Sequence, residues 1–246
     1  MRVRFVGCGD AFGSGGRFNT CFLVEPAAGR FLIDCGASSL VALRRCGVDP
    51  DTIGTILITH LHGDHFGGLV FLLRQATLTK QRTLALTIAG PPGLAARLDA
   101  AIEVFFPGGA VPPTSFALRV VELAPRVATA LDRLTVTAFP VSHASGAPPY
   151  ALRAETEGKA IAYTGDTLWV DAVAEAARGA DLFICEAYSY DRRRGHHLDL
   201  ATVRAQLPAI GARRTILTHL GPEMLARLDE VSAEFEVAAD GMMVEI

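Results

Sequence analysis

Residues 59–65 read Thr-His-Leu-His-Gly-Asp-His and follow the apolar run Thr-Ile-Leu-Ile at 55–58. The chain has 7 histidines, and three of them fall within these few positions. Imidazole nitrogen and carboxylate oxygen are the atoms that hold Zn²⁺, Mn²⁺ or Fe in proteins. The alternative is a surface loop that happens to be rich in histidine, but histidine-rich tracts commonly bind metal. The stretch therefore predicts a metal site.

The spacing within this stretch indicates two groups of ligands. On an extended strand end, alternate side chains point to the same side, so His60 and His62 would share one face. Asp64 and His65 would begin the next turn and face a second ion. Two divalent ions held close together can stabilise both the attacking and the leaving oxygen of a hydrolytic reaction. The pattern therefore favours a dinuclear site.

Other histidines and aspartates also recur at the ends of apolar runs. His143 comes after the strand-like residues 134–137, Asp166 follows the run 161–163, and His219 closes the run 215–218. Strands deliver side chains at their ends to one rim of a sheet. Taken singly, either histidine could be a structural residue of the core, and Asp166 could be a helix N-cap. Their shared position at strand ends favours a common ligand set.

The order His-x-His-x-Asp-His, followed by His, Asp and His, resembles the metallo-β-lactamase superfamily. Further segments are similar to its ribonuclease Z-like and phosphodiesterase-like branch: 6–20, 31–36, 163–167, 185–187, 217–220 and 239–242. The resemblance covers nearly the whole chain. It implies an α/β fold, an αββα sandwich of two mixed β-sheets flanked by helices, with residues 1–246 forming one hydrolase domain. The alternation of apolar strand-like and helix-like segments suits two such sheets.

The resemblance also implies which residues hold metal. It assigns two groups of ligands and one bridging carboxylate: His60, His62 and His143 around one ion, Asp64, His65 and His219 around the other, and Asp166 between them. The implied cofactors are two divalent metal ions, with Zn²⁺ favoured and Mn²⁺ or Fe fitting the same ligands. Two such cations generate hydroxide from a shared water near neutral pH. Asp64 has an alternative role, which is to orient or deprotonate that hydroxide.

Glu186 and the stretch Gly-His-His-Leu-Asp at 195–199 form a second candidate group. In ribonuclease Z-like enzymes, a glutamate and a histidine at corresponding places act near the leaving group, and His197 matches that histidine better than His196. A histidine with a pKa of about 6.5 can donate a proton to a departing alkoxide, and Glu186 would orient its ring. Alternatively, the two histidines are a polar approach to a helix. The arginines at 192–194 could hold phosphate oxygens, although charge runs are more often solvated loops.

Net charge weighs against a large nucleic acid as substrate. A tRNA-processing enzyme needs basic side chains that bind the phosphate backbone. This chain instead has a net charge of −3 and a sequence pI of about 6.2. Residues 80–125, where ribonuclease Z relatives carry or lack an extended arm, are apolar and weakly charged. We therefore expect a metal-dependent hydrolase of small or cyclic phosphodiesters. The alternatives are a carboxylic ester or lactone hydrolase, a ribonuclease Z-type 3′-tRNA endonuclease and, less favoured, a metal-binding module without turnover.

Composition indicates the compartment and the partners. The 5 cysteines are odd in number and lack zinc-finger spacing, and the chain starts without an apolar leader, so we expect reducing cytoplasm. No uninterrupted apolar stretch of about 18 residues exists, so no membrane partner is expected. The sequence is compatible with a homodimer and leaves open whether RNA is a substrate. The glycines between positions 7 and 16 suit tight turns near the metal rim better than a phosphate-binding loop, since no Gly-Lys-Ser/Thr follows them.

Overall fold

The computed structural model describes residues 1–79, 81–109, 115–191 and 195–246. In the described part of the first half, the strands are β1 (Arg2–Gly7), β2 (Cys21–Glu25), β3 (Arg30–Ile33), β4 (Ile53–Leu57), β5 (Leu86–Gly90) and β6 (Leu118–Glu122). The helices there are α1 (Ser39–Arg45), α2 (Gly63–Phe66), α3 (Gly68–Thr79) and α4 (Leu94–Phe105). Short 3₁₀ turns occupy Ser14–Gly16 and Pro50–Thr52.

The second half contains the remaining elements. Its described strands are β7 (Thr129–Leu131), β8 (Leu134–Pro140), β9 (Tyr150–Thr156), β10 (Lys159–Tyr163), β11 (Leu182–Glu186), β12 (Thr215–Thr218), β13 (Glu236–Val237) and β14 (Met243–Glu245). Its described helices are α5 (Asp171–Ala177), α6 (Leu200–Ile210), α7 (Pro222–Leu225) and α8 (Leu228–Glu234). Each described helix is too short or too polar to cross a membrane.

The strands form two mixed sheets with related topology. Within the described residues, one sheet has the order β14-β1-β2-β3-β4-β5-β6 and the other β13-β12-β11-β10-β9-β8-β7. In the first sheet, β3 to β6 run parallel and β14 to β3 antiparallel. In the second, β10 to β13 run parallel and β7 to β10 antiparallel. Both sheets therefore contain parallel strands. In open α/β sheets, functional side chains gather at the carboxyl ends of such strands.

Hydrophobic side chains fill three layers of core. Both faces of β2 are buried, because Phe22 and Val24 pack between the two sheets while Cys21 and Leu23 pack under the helices of the first half. This follows from the two-residue period of a strand. Phe22 joins the sheets through an edge-to-face contact with Tyr163, at a centroid distance of 5.0 Å. A third cluster packs α5, α6 and the C-terminal helices on the second sheet. The expected αββα sandwich is confirmed.

Some elements differ from the sequence-based expectation. The pattern predicts a helix over Leu168–Arg178, whereas α5 begins at Asp171. Leu168 instead donates its backbone N–H to the Ser142 carbonyl and forms an isolated bridge there, which keeps the preceding segment extended. The apolar pattern also gives no signal for β13 and β14, which have two and three residues. Such short strands are stabilised by pairing with β12 and β1 rather than by their own sequence.

Candidate metal centre

The stretch at 59–65 changes from strand to helix at the rim of the first sheet. His60 follows β4 and is fully buried, and His62 has an extended backbone as the residue before α2. Asp64 and His65 lie in the first turn of α2. The rings of His60 and His62 contact each other at a centroid distance of 4.9 Å. The extended backbone therefore places the rings of His60 and His62 side by side. The helical turn of α2 carries Asp64 and His65.

A cluster of three histidines forms where the two sheets meet. The nitrogens of His60, His62 and His143 lie within 4.8 Å of one another. His143 comes from the loop after β8, and its Nε2 lies 3.1 Å from His62 Nδ1. Its other ring nitrogen, Nδ1, lies 2.9 Å from the backbone carbonyl of His196, which fixes the ring orientation. The structure therefore brings these three predicted residues together.

A second cluster combines two histidines with two carboxylates. Its members are Asp64, His65, Asp166 and His219, whose ligand atoms also lie within 4.8 Å of one another. Asp64 Oδ2 lies 3.2 Å from His65 Nε2 and 3.3 Å from His219 Nε2. His219 follows β12 in a left-handed conformation, with φ of 57°, which is unusual for a residue other than glycine. Its backbone N–H donates to the Cys8 carbonyl, which anchors it against the glycine-rich loop.

Asp166 faces both clusters. Its Oδ1 lies 3.2 Å from His65 Nε2, and its Oδ2 lies 3.3 Å from His219 Nε2. The same Oδ2 lies 3.7 Å from His60 Nε2 and 3.8 Å from His143 Nε2. The side chain is almost fully buried in the loop between β10 and α5. Its position between the groups is the one that a bridging carboxylate would occupy.

The electrostatics of the clusters fit divalent cations. Burial acts against ionisation of Asp166, but neighbouring His219 and His65 hold its pKa well below the usual range. Burial likewise opposes the charge of His219, yet Asp166 and Asp64 raise its pKa to about 9. Among the described residues, His60 Nε2 is a buried nitrogen without a hydrogen-bond partner. Imidazole nitrogens and carboxylate oxygens that converge in this way are a suitable set of ligands for a divalent ion.

Asp34, which the sequence pattern does not single out, contacts His65 on the side of the ring away from the clusters' carboxylates. It is fully buried after β3, and its Oδ2 lies 2.6 Å from His65 Nδ1. It also accepts hydrogen bonds from the backbone N–H and the hydroxyl of Thr59, both at 2.8 Å. Burial raises the pKa of Asp34, while His65 and Thr59 favour the carboxylate. The signal was present in the sequence, because Asp34 closes an apolar strand as the other candidates do.

We expect Asp34→Asn to weaken metal binding by about 10–100-fold, the usual effect of removing a group that orients a ligand. An asparagine cannot accept both contacts from Thr59 and also hold His65 Nδ1 as a carboxylate does. The measurement is competitive titration of the purified protein with a metal chelator. Asp10→Asn is a matched control, because buried Asp10 bonds the backbone of Phe12 and Ser14. Equal losses of affinity in both variants would contradict an orienting role for Asp34.

Glu186 and His197 form a pair beside the clusters. Glu186 Oε2 lies 3.0 Å from His197 Nδ1, and its Oε1 accepts the backbone N–H of Thr167. Burial opposes the charge of His197, but the hydrogen bond and the negative charge of Glu186 raise its pKa. The His197 ring stacks against Tyr188 at 4.8 Å and against His219 at 5.4 Å. The pair therefore lies against the second cluster, and its ligand atoms lie within 4.8 Å of those of Asp166 and His219.

The neighbouring candidates have different positions. The exposed His196 ring lies 6.2 Å from the ring of His143, and it is His197 that contacts Glu186. The arginines at 192–194 lie outside the described residues. Gly36 permits a close approach of the segment after β3 to α2, because a Cβ there would come within 2.1 Å of the Asp64 carbonyl oxygen. At Gly7, an added Cβ would come within 2.1 Å of the Asn19 carbonyl, so the glycine-rich loop also needs its small residues.

Comparison with known proteins agrees with this geometry. Residues 29–220 match the family model described as a beta-lactamase superfamily domain. The uncharacterized protein Rv1339 of Mycobacterium tuberculosis is 31% identical, with 96% of this chain and 87% of the relative covered. A ribonuclease Z of Mycobacterium bovis is 28% identical over 75% of this chain and 69% of its own length. The crystal structure of the short form of human tRNase Z superposes with a TM-score of 0.81, 25% identity and coverage of 100% and 99% of the two chains.

The chain belongs to the metallo-β-lactamase superfamily, as its family match and its relatives show. The expected similarity to the ribonuclease Z-like branch is confirmed as well. Proteins of this fold include hydrolases such as nucleases, and the histidine and aspartate clusters fit divalent metal binding.

Proposed function

We propose that this chain is a metal-dependent hydrolase that cleaves a phosphodiester, with small or cyclic phosphodiesters favoured over tRNA. The observation that supports it most is the meeting of two ligand clusters at Asp166, with the Glu186–His197 pair directly beside them. The clusters supply cation ligands, and the pair supplies a proton donor. Together these are the parts that phosphodiester hydrolysis needs.

In this proposal two divalent cations, Zn²⁺ in preference to Mn²⁺ or Fe, occupy the clusters described above. His60, His62 and His143 would hold one cation, Asp64, His65 and His219 would hold the other, and Asp166 would serve both. When bound, the two cations lower the pKa of an attacking water and neutralise charge on the phosphoryl oxygens. Asp64, whose Oδ2 faces both His65 and His219, orients that water or accepts its proton.

His197 donates a proton to the leaving oxygen from Nε2. Its Nδ1 is engaged by Glu186, so Nε2 is the ring nitrogen that can meet a substrate. Glu186 fixes the ring orientation and stabilises the protonated imidazole, as carboxylates do for catalytic histidines. The buried hydrogen bond from Thr167 to Glu186 holds the carboxylate in place. His197 thus acts on the leaving group, and Glu186 is a positioning residue.

The size of the substrate is inferred from charge. A net charge of −3 is poorly suited to a long phosphate backbone, whose binding requires several basic contacts. The 80–125 region contains β5, α4 and β6, and its sequence offers few basic side chains. The likeness to tRNase Z nevertheless makes 3′ processing of tRNA the second candidate. Hydrolysis of carboxylic esters or lactones is the third.

A substrate panel tests the proposal. The metal-loaded protein is assayed on bis(p-nitrophenyl) phosphate, a cyclic nucleotide, a lactone and a pre-tRNA, and we expect turnover of the small phosphodiesters to be fastest. A chelated sample that recovers on addition of metal controls for contaminating enzymes. Hydrolysis of the lactone alone would contradict the phosphodiesterase proposal. Cleavage of pre-tRNA without turnover of the small substrates would replace it with the second candidate, and inactivity on all substrates would indicate a binding module.

A further inference from the structure

The rings of the candidate histidine ligands are held in different ways. Three of them have a partner within 3.1 Å of Nδ1: His60 with the Thr59 hydroxyl, His65 with Asp34, and His143 with the backbone carbonyl of His196. Such partners fix the orientation of a metal-ligating ring. His219 Nδ1 is buried and has no hydrogen-bond partner among the residues that the structure describes. The orientation of His219 therefore depends on what holds its backbone.

The backbone of His219 is held in an uncommon conformation. Its φ of 57° is left-handed, which costs free energy for a residue other than glycine and persists where neighbouring groups hold it. The Cys8 carbonyl accepts the His219 N–H at 3.1 Å and the Thr218 hydroxyl at 3.3 Å. Cys8 is fully buried at the start of the glycine-rich loop after β1. The position of its carbonyl therefore helps to set the position of the His219 ring.

Asp240 holds Cys8 from the turn between β13 and β14. Its Oδ1 accepts the Cys8 N–H at 3.1 Å and the thiol at 3.3 Å, and its Oδ2 accepts the Phe18 N–H at 2.8 Å. Cys8 and Phe18 lie at the two ends of the glycine-rich loop, so one carboxylate closes this loop. Arg17 adds a further contact, because its Nη1 donates to the Ala238 carbonyl of the same turn at 2.9 Å.

The turn that carries Asp240 is itself fixed to both sheets. Gly241 donates its N–H to the Phe5 carbonyl of β1 at 2.7 Å, and Ala238 donates its N–H to the Leu217 carbonyl of β12 at 2.8 Å. The carboxylate therefore has a fixed position between the strand that leads to the last candidate ligand and the loop that contacts that ligand.

We propose that Asp240 is a positioning residue of the metal centre, which acts on His219 through the Cys8 carbonyl. The inference rests on the proposed function, since it requires that His219 holds a cation. Asp240 keeps Cys8 in place, and Cys8 keeps His219 in the left-handed conformation. In that conformation His219 Nε2 lies 3.3 Å from an oxygen of Asp64 and 3.3 Å from an oxygen of Asp166. Asp240 therefore does for His219 what a contact to Nδ1 does for the other three histidines.

The test is the affinity of the second cluster for Zn²⁺ in Asp240→Asn. An amide has one acceptor oxygen, so its NH₂ group would face one of the two backbone N–H groups that the carboxylate accepts. We expect binding of the second Zn²⁺ to weaken by about tenfold, within the range for loss of a group that orients a ligand. The measurement is competitive titration of the metal-free protein with Zn²⁺ and a coloured chelator, which requires no turnover. Asp240→Glu, which keeps two acceptor oxygens, should recover part of the affinity.

A double-mutant cycle separates an action through His219 from a general loss of structure. Asp240→Asn should weaken Zn²⁺ binding in the wild-type background and cause no further loss in the His219→Ala background. Asp181→Asn is the matched control, because this carboxylate also holds another segment, through the Ala160 N–H and the Lys159 ammonium, both at 3.0 Å. It lies just before β11 and should leave the affinity unchanged.

The outcomes distinguish this inference from the proposed function. Wild-type affinity in both Asp240→Asn and Asp240→Glu would overturn the role of Asp240 and leave the metal centre intact. Equal losses from Asp240→Asn in the two backgrounds would show that it does not act through His219, which also overturns the inference. Failure of the wild-type protein to bind a second Zn²⁺ would overturn the proposed two-cation centre, and the inference with it.

Discussion

His62→Ala is expected to lower phosphodiester hydrolysis by about 10³-fold or more and to reduce the metal content of the protein. The reason is that His62 contributes to one cluster only and lies 3.1 Å from His143, so its loss leaves that cluster with two imidazoles. Bound metal ions stabilise the transition state by several kcal/mol, and a change of about 1.4 kcal/mol in the activation free energy corresponds to a tenfold change in rate. The measurements are steady-state hydrolysis and elemental analysis of metal per chain.

His196→Ala is the matched control for this experiment. It removes an exposed imidazole but keeps the backbone carbonyl that contacts His143. Circular dichroism should show that both variants keep the wild-type secondary structure, because His62 is only partly buried and lies outside the three hydrophobic clusters. Hydrolysis by His62→Ala within a factor of about ten of the wild type would exclude His62 as a direct ligand.

His197→Ala is expected to produce a loss that depends on the leaving group. With an alkoxide leaving group, proton donation assists departure, and the variant should lose about 10²–10⁴-fold in kcat/KM. With p-nitrophenolate, little protonation is needed, so the loss should be far smaller. The measurement compares both substrate types on the wild type, His197→Ala and Glu186→Gln, in which the hydrogen bond to Nδ1 is altered.

The same pair of substrates defines the contrary outcomes. Equal losses on good and poor leaving groups in His197→Ala would indicate substrate binding or support of the metal site instead of proton donation. His196→Ala should behave as the wild type on both substrates, since it is His197 that contacts Glu186. A selective loss in His196→Ala would show that the neighbouring histidine is the proton donor.

The sequence predicts the convergence of the candidate ligands because the signal is local. His143, Asp166 and His219 each come shortly after a short apolar strand, and in this fold such ends meet at one rim. Asp34 also follows a short apolar strand and lies in the family-like segment 31–36, but neither feature assigns it a role. Its supporting role becomes visible only through the 2.6 Å contact with His65.

Features that depend on tertiary contacts are not predictable in this way. The apolar pattern extends a helix back to Leu168, whereas the bridge to Ser142 keeps the segment before α5 extended. This bridge leaves no periodic signal in the sequence. The C-terminal strand β14 likewise owes its place to pairing with β1, far away in the chain.

The distribution of the candidate ligands over both sheets has a consequence for folding. His62 and His143 are separated by 81 positions along the chain, and Asp64 and His219 by 155. Ions coordinated by each pair would close two long loops, and the entropic cost of closing a flexible loop grows with the logarithm of its length. That cost is already met once both halves of the chain have folded. Metal ions would then bind mainly to chains whose two halves are already folded together. Metal affinity and the free energy of unfolding would therefore be linked.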